Sequence, residues 1–174
     1  TVVGNSSAKA ALELAVYDLW GKLYKAPLYK LLGGGKSALK TDITISVDNI
    51  DKMLSDCQRA VEQGFDVLKI KIGNNLNQDI ERVKAIHAGF AAKVQLRLDV
   101  NQGWDAKQTV FALLQLEQAG VVLELVEQPV KSSDIQGLKY ITERVNTPIM
   151  ADESAFSPKQ VIQLLELGAV DIIN

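Results

Sequence analysis

Lys71, Asp99, Glu127 and Asp152 stand at the carboxyl ends of four apolar runs, VLKIKIG, QLRLDVN, LELVEQP and PIMADES, at intervals of 28, 28 and 25 residues. Each interval is about one strand–helix unit, so the four residues hold comparable places in successive units and the repeat would carry them to one rim. Three carboxylates and a lysine on one rim are the makings of a cation site. Asp99, Glu127 and Asp152 offer oxygen alone, with no cysteine or histidine beside them, which favours a hard cation over zinc. Magnesium suits the set: it takes an octahedral shell with positions left for water and a substrate carboxylate, whereas a calcium loop draws its ligands from one short segment.

The elements that must position these residues follow from the apolar periodicity. A helix is expected over about residues 7–24, where Ala8, Ala11, Leu12, Ala15, Val16, Leu19 and Leu23 fall at helical spacing behind Asn5, Ser6 or Ser7 as N-cap. Pro27 and Gly33 to Gly35 then break the pattern. Strands are expected at 42–47, 67–72, 94–100, 122–127, 149–152 and 170–173, with helices between them. Gly64, Gly120 and Gly168 close three of those helices, and Ser157 followed by Pro158 opens the last.

Strand–helix alternation implies a parallel sheet covered by its helices. A doubly wound sheet would show a glycine-rich phosphate loop after its first strand, and Ile45 to Asn49 has no glycine. A barrel accounts better for Lys69 with Lys71, and for Asp99 with Asn101, pairs two residues apart that share one face of otherwise apolar strands. Unpaired charge in a parallel strand is costly, so such pairs need a function. An eight-stranded barrel takes about 250 residues, and the chain from residue 41 supplies about six strands of one. The opening TVVGNSSAKAALELAV, without an initiator methionine, and the closing apolar VDIIN are read as internal points of a longer chain.

Composition narrows the function classes. Of 174 residues 47% are hydrophobic, and 19 basic against 21 acidic side chains leave a net charge of -2, with no cationic footprint for nucleic acid or a membrane surface. Cys57 is the one cysteine, so no internal disulfide forms; with no apolar stretch of 18 residues and no signal-like start, the cytoplasm is the expected compartment. Cys57 is expected on an apolar helix face, His87 on the surface and Trp104 in packing after the third strand, while Asp18 and Trp20 are assigned to structure. Nothing here opposes a homo-oligomer.

KIK at 69–71, RLDVNQGW at 97–104, VEQP at 126–129 and ADES at 151–154, in this order and spacing, resemble the muconate-lactonising subgroup of the enolase superfamily. AALELAVYDLWGKLYKAPLYKLLGG resembles the end of that family's capping domain, so the resemblance runs through nearly the whole chain. It implies an α+β capping domain ending within residues 1–38, then the N-terminal part of a (β/α)7β barrel over 39–174. Magnesium would be bound by Asp99, Glu127 and Asp152, Lys71 would be the acid/base on one face of the substrate with Lys69 tuning its proton affinity, and Asn101 and Glu153 would support the ligands. A second lysine, about two residues past Asn174, would serve the other face. The implied chemistry is removal of a proton α to a carboxylate through an enediolate stabilised by the cation. Asp42 to Ser46 looks most like the first barrel strand of epimerases acting on L-Ala-D/L-Glu and related dipeptides, with Thr44 near the substrate. The alternatives are N-acylamino-acid racemase, o-succinylbenzoate synthase and muconate cycloisomerase. A barrel that keeps the metal ligands without turnover is the alternative of another class.

Overall fold

A computed structural model describes residues 4–35 and 38–174. The chain forms two compact units, Thr1–Lys40 and Thr41–Asn174. In the first, α1 (Ser6–Leu23) starts behind Asn5, whose backbone is left-handed at φ 53 and whose side chain makes no capping bond. Lys22 donates to Asp18 one turn below at 2.6 Å, and α2 (Leu28–Leu31) follows Pro27. No residue of either helix is buried, so the helical spacing of α1 does not translate into a packed core face among the described residues.

The second unit alternates strictly: β1 (Ile43–Ile45), α3 (Ile50–Glu62), β2 (Val67–Lys71), α4 (Leu76–Phe90), β3 (Gln95–Asp99), α5 (Ala106–Gln118), β4 (Leu125–Glu127), α6 (Ile135–Thr142), β5 (Ile149–Ala151), α7 (Pro158–Leu167) and β6 (Ile172–Ile173). All neighbouring pairs are parallel, and the strand order in space is the order in sequence. That order separates the two architectures: a doubly wound sheet reverses direction at a switch point, whereas a barrel wall winds one way. The fold is therefore α/β, with six strands of a (β/α) barrel wall.

Local chemistry sets the element boundaries. Asn49, Asn75, Asp105, Asp134 and Ser157 each accept a backbone N–H from three residues further on, the N-cap arrangement that satisfies an otherwise orphaned helix donor. Pro158 stands in the first turn of α7 and Gly168 ends it in the left-handed region. Period-two alternation then divides each strand. Leu68, Ile70, Leu96, Leu98, Val126 and Ile149 are buried in one core with Met53, Cys57, Val83, Ile86, Leu113, Leu116, Leu138 and Ile141 of the helices, each such side chain contributing about 2 kcal/mol. Lys69, Lys71, Arg97, Asp99 and Glu127 take the intervening positions.

The strands are shorter than the apolar runs suggest. The fourth run, expected at 122–127, joins the ladder only from Leu125, because Val122 donates its N–H to His87 Nε2 at 3.3 Å and leaves its side chain 76% exposed. His87 thus anchors a loop instead of standing free on the surface. At the amino end of the sheet, Arg97 forks onto Glu124 at 2.7 and 2.9 Å and reaches Asp42 at 3.0 Å, so its half-buried charge is matched. No helix among the described residues is long and apolar enough to cross a membrane.

Candidate active site

Parallel register places Lys71, Asp99 and Glu127 side by side in one row at the carboxyl ends of β2, β3 and β4. One layer below, Thr44, Lys69, Arg97 and Leu125 form the neighbouring row. Lys69 reaches up between the carboxylates, 3.1 Å from Asp99 and 2.7 Å from Glu127, while Lys71 Nζ lies 3.0 Å from Asp99 Oδ2. Asp99 and Glu127 are 1% and 2% exposed, which is tolerable for charge only because ammonium groups face them.

Asp152 departs from the pattern of equal positions. Met150, not Asp152, is in register with Glu127, so Asp152 stands two residues beyond the row, partly exposed. Among the described residues no three histidine, cysteine, aspartate or glutamate side chains close into a ready-made metal cage. The two carboxylates that converge share the Lys69 ammonium, and Asp152 acts on Glu127 through its charge.

The protonation equilibria reflect this crowding. Burial pushes the Glu127 carboxyl above the usual range, against the Lys69 bond that pulls it down, and the charges of Asp99 and Asp152 add to the rise. For Lys69 burial alone would lower the ammonium's proton affinity, but Glu127 and Asp99 outweigh it and the group stays charged. An oxygen-only set in which two carboxylates are buried and the charges of Asp99 and Asp152 both bear on Glu127 fits a divalent cation, which would relieve that repulsion. Glu153 points the same way: Oε1 accepts from Gln102 at 3.2 Å, while the buried Oε2 has no hydrogen-bond partner.

Asn101 follows the row in a left-handed turn at φ 45, accepts from Lys71 Nζ at 2.5 Å and donates its backbone N–H to Asp99 Oδ1 at 3.0 Å. It therefore orients both. Thr44 is exposed on β1 in register with Lys69. Trp104 is 5% exposed and donates to Asp79, so it packs.

Two residues that matter were not singled out from sequence. Asp79, fully buried, accepts the backbone N–H groups of Gly73 and Asn75 and the side-chain donors of Arg82 and Trp104, tying the loop after Lys71 to the loop after Asp99. Only an Asp-x-x-Arg pair at helical spacing marks it in the sequence. Gln128, also fully buried, lay inside the VEQP motif without a role of its own. Its contacts run to the next strand end.

Comparison with known proteins shows the family and the fold. Residues 52–174 match the family described as enolase C-terminal domain-like, and residues 1–33 match the N-terminal domain of mandelate racemase / muconate lactonizing enzyme. The chain is 51% identical over 173 residues to an L-Ala-D/L-Glu epimerase of Clostridium acetobutylicum, covering 99% of this chain and 48% of that one. A substrate-liganded complex of the Bacillus subtilis L-Ala-D/L-Glu epimerase superposes with TM-score 0.95 at 46% identity, covering 99% of this chain and 48% of the other. A dipeptide epimerase from Enterococcus faecalis V583, complexed with Mg and the dipeptide L-Leu-L-Tyr, superposes with TM-score 0.85 at 47% identity, over 91% and 44% of the two chains. The chain spans about half the length of the curated relatives it matches.

Proposed function

We propose, because the chain belongs to the mandelate racemase / muconate lactonizing enzyme branch of the enolase superfamily, that the protein is an isomerase that epimerises the carbon α to a carboxylate. The substrate is a dipeptide of the L-Ala-D/L-Glu kind, as the names of the relatives suggest, and the cofactor is magnesium, as the Enterococcus faecalis complex suggests. The observation that carries the reading is the row Lys71–Asp99–Glu127, with Lys69 beneath it and Asp152 just beyond. The reaction belongs to the cytoplasm.

Asp99, Glu127 and Asp152 would hold the magnesium ion, which supplies positive charge beside the substrate carboxylate as the α-proton leaves. The chain's own groups do the rest. Lys71 Nζ, aimed by Asn101 and Asp99, takes and returns the α-proton on one face. A second lysine serves the other face, so that a proton removed from one side is replaced from the opposite side and the configuration inverts. Lys69 keeps its ammonium between Asp99 and Glu127. Residues 1–38 belong to the capping domain and 39–174 to the barrel.

The test is epimer formation from L-Ala-L-Glu in deuterium oxide with the full-length protein and magnesium, followed by NMR at the α-carbon. Lys71→Ala should lower net epimerisation by about 10²–10⁴-fold, the usual contribution of a positioned acid/base. A variant that still epimerises at the wild-type rate removes Lys71 from the mechanism. Lactonisation, or dehydration to o-succinylbenzoate, would move the substrate assignment to the cycloisomerase or the synthase, and magnesium binding without turnover would mark a non-catalytic barrel.

A further inference from the structure

We propose that Gln128 is a positioning residue that sets Asp152 against Asp99 and Glu127, an inference that rests on the magnesium reading above. Gln128 follows Glu127 directly, is 0% exposed and holds a left-handed backbone at φ 35, a conformation that residues other than glycine keep only where the surroundings over-determine it. Its side chain is saturated. Oε1 accepts from the backbone N–H of Asp152 at 2.9 Å and of Ser154 at 3.1 Å, and Nε2 donates to the Val130 carbonyl at 3.0 Å and to Ser154 Oγ at 2.8 Å. Turning the amide over would set its NH2 against two N–H groups and its oxygen against a carbonyl, so this orientation is unique.

The backbone of Gln128 completes the bracket. Its N–H donates to Met150 at 2.9 Å and its carbonyl accepts from Gln102 N–H at 2.8 Å. Gln102 carries the bracket on: Oε1 accepts from Ser132 N–H at 2.8 Å and Nε2 donates to Glu153. One residue thus joins the carboxyl ends of β3, β4 and β5, the three strands that lead into Asp99, Glu127 and Asp152. Asp152 needs such a tie. It lies two residues beyond the row and one past the last ladder pair of β5, Ala151 with Ile173, and the bond from its N–H to the Gln128 amide oxygen holds it there.

Calorimetric titration of the metal-free, full-length protein with magnesium alone tests this. Gln128→Met removes the bracket and leaves all three carboxylates, so magnesium should bind about 10–100-fold more weakly, as on loss of a group that orients a ligand, and turnover should return at saturating magnesium. A purely structural role would lower the unfolding midpoint and leave the folded protein's affinity unchanged. That result overturns the proposal. If Gln128→Met does not fold, Ser154→Ala, which deletes only the hydroxyl that accepts from Gln128 Nε2, should weaken binding several-fold, and unchanged affinity there overturns it equally. Wild-type protein that binds no magnesium would instead overturn the metal reading on which this inference stands, so the two failures are distinct.

Discussion

Charge crowding governs the site at the scale of single residues. Lys69 faces Asp99 and Glu127, Lys71 faces Asp99, and burial leaves these two carboxylates no water to share the load, while Asp152 adds its charge from beyond the row. Those residue types and positions were visible in sequence; which ammonium touches which carboxylate was not, since Lys69 and Lys71 are equivalent by alternation alone. Cys57 makes a sharper single-residue case. Burial, with Asp56 adding, pushes its thiol from 9.0 up to about 11. A raised folded-state value means that the stabilisation is intact below the unfolded pKa and is lost as pH rises through the folded one. Wild-type protein should therefore lose up to about 2 kcal/mol more than Cys57→Ala between pH 9 and 11. Urea midpoints across that range measure it, and parallel curves for the two proteins would remove Cys57 as the cause.

At the scale of elements, the loops after β2 and β3 do as much as the strands. A Cβ at Gly73, which has φ 116, would meet Val100 O at 2.4 Å, and one at Gly103 would meet Gly73 O at 2.3 Å, so these loops touch backbone to backbone. Asp79 locks the contact from below. Asp79→Ala should cost about 3 kcal/mol, because it takes the carboxylate from the partly buried Arg82 and leaves the Gly73, Asn75 and Trp104 donors without their acceptor. Gly103→Ala should cost about 2 kcal/mol through overpacking. Denaturant unfolding gives both values, and losses within about 0.5 kcal/mol of wild type, the range of neutral surface changes, would show that the loops separate freely. The start of α7 was legible because a cap is a local contract between one side chain and an N–H three residues on, as at Ser157. The start of the fourth strand was not, because His87, distant in sequence, competes for the N–H of Val122.

For the whole molecule, ligand linkage supplies the test. A cation that binds only the folded state at one hundred times its dissociation constant adds about 2.7 kcal/mol of stability. Magnesium should therefore raise the unfolding midpoint of the full-length protein, chelation should reverse the rise, and Asp99→Asn should abolish the response while leaving the metal-free midpoint near wild type. A magnesium response that survives in Asp99→Asn would take that residue out of the ligand set. The sequence by itself determined the alternation of strands and helices, the inward placement of Lys69, Lys71, Asp99 and Glu127, and the family, because periodicity and short motifs are written in consecutive residues. The tertiary structure decided that the strands wind in sequence order and that Asp152 stands beyond the row. It also decided that Lys69 takes the place between the carboxylates, and that Asp79 and Gln128 bind the strand-end loops together. Register and contacts between strand ends far apart in sequence set most of these features, as with Lys71 and Asn101 at 30 positions apart and Gln128 and Asp152 at 24, and such pairings exist only once the sheet has formed.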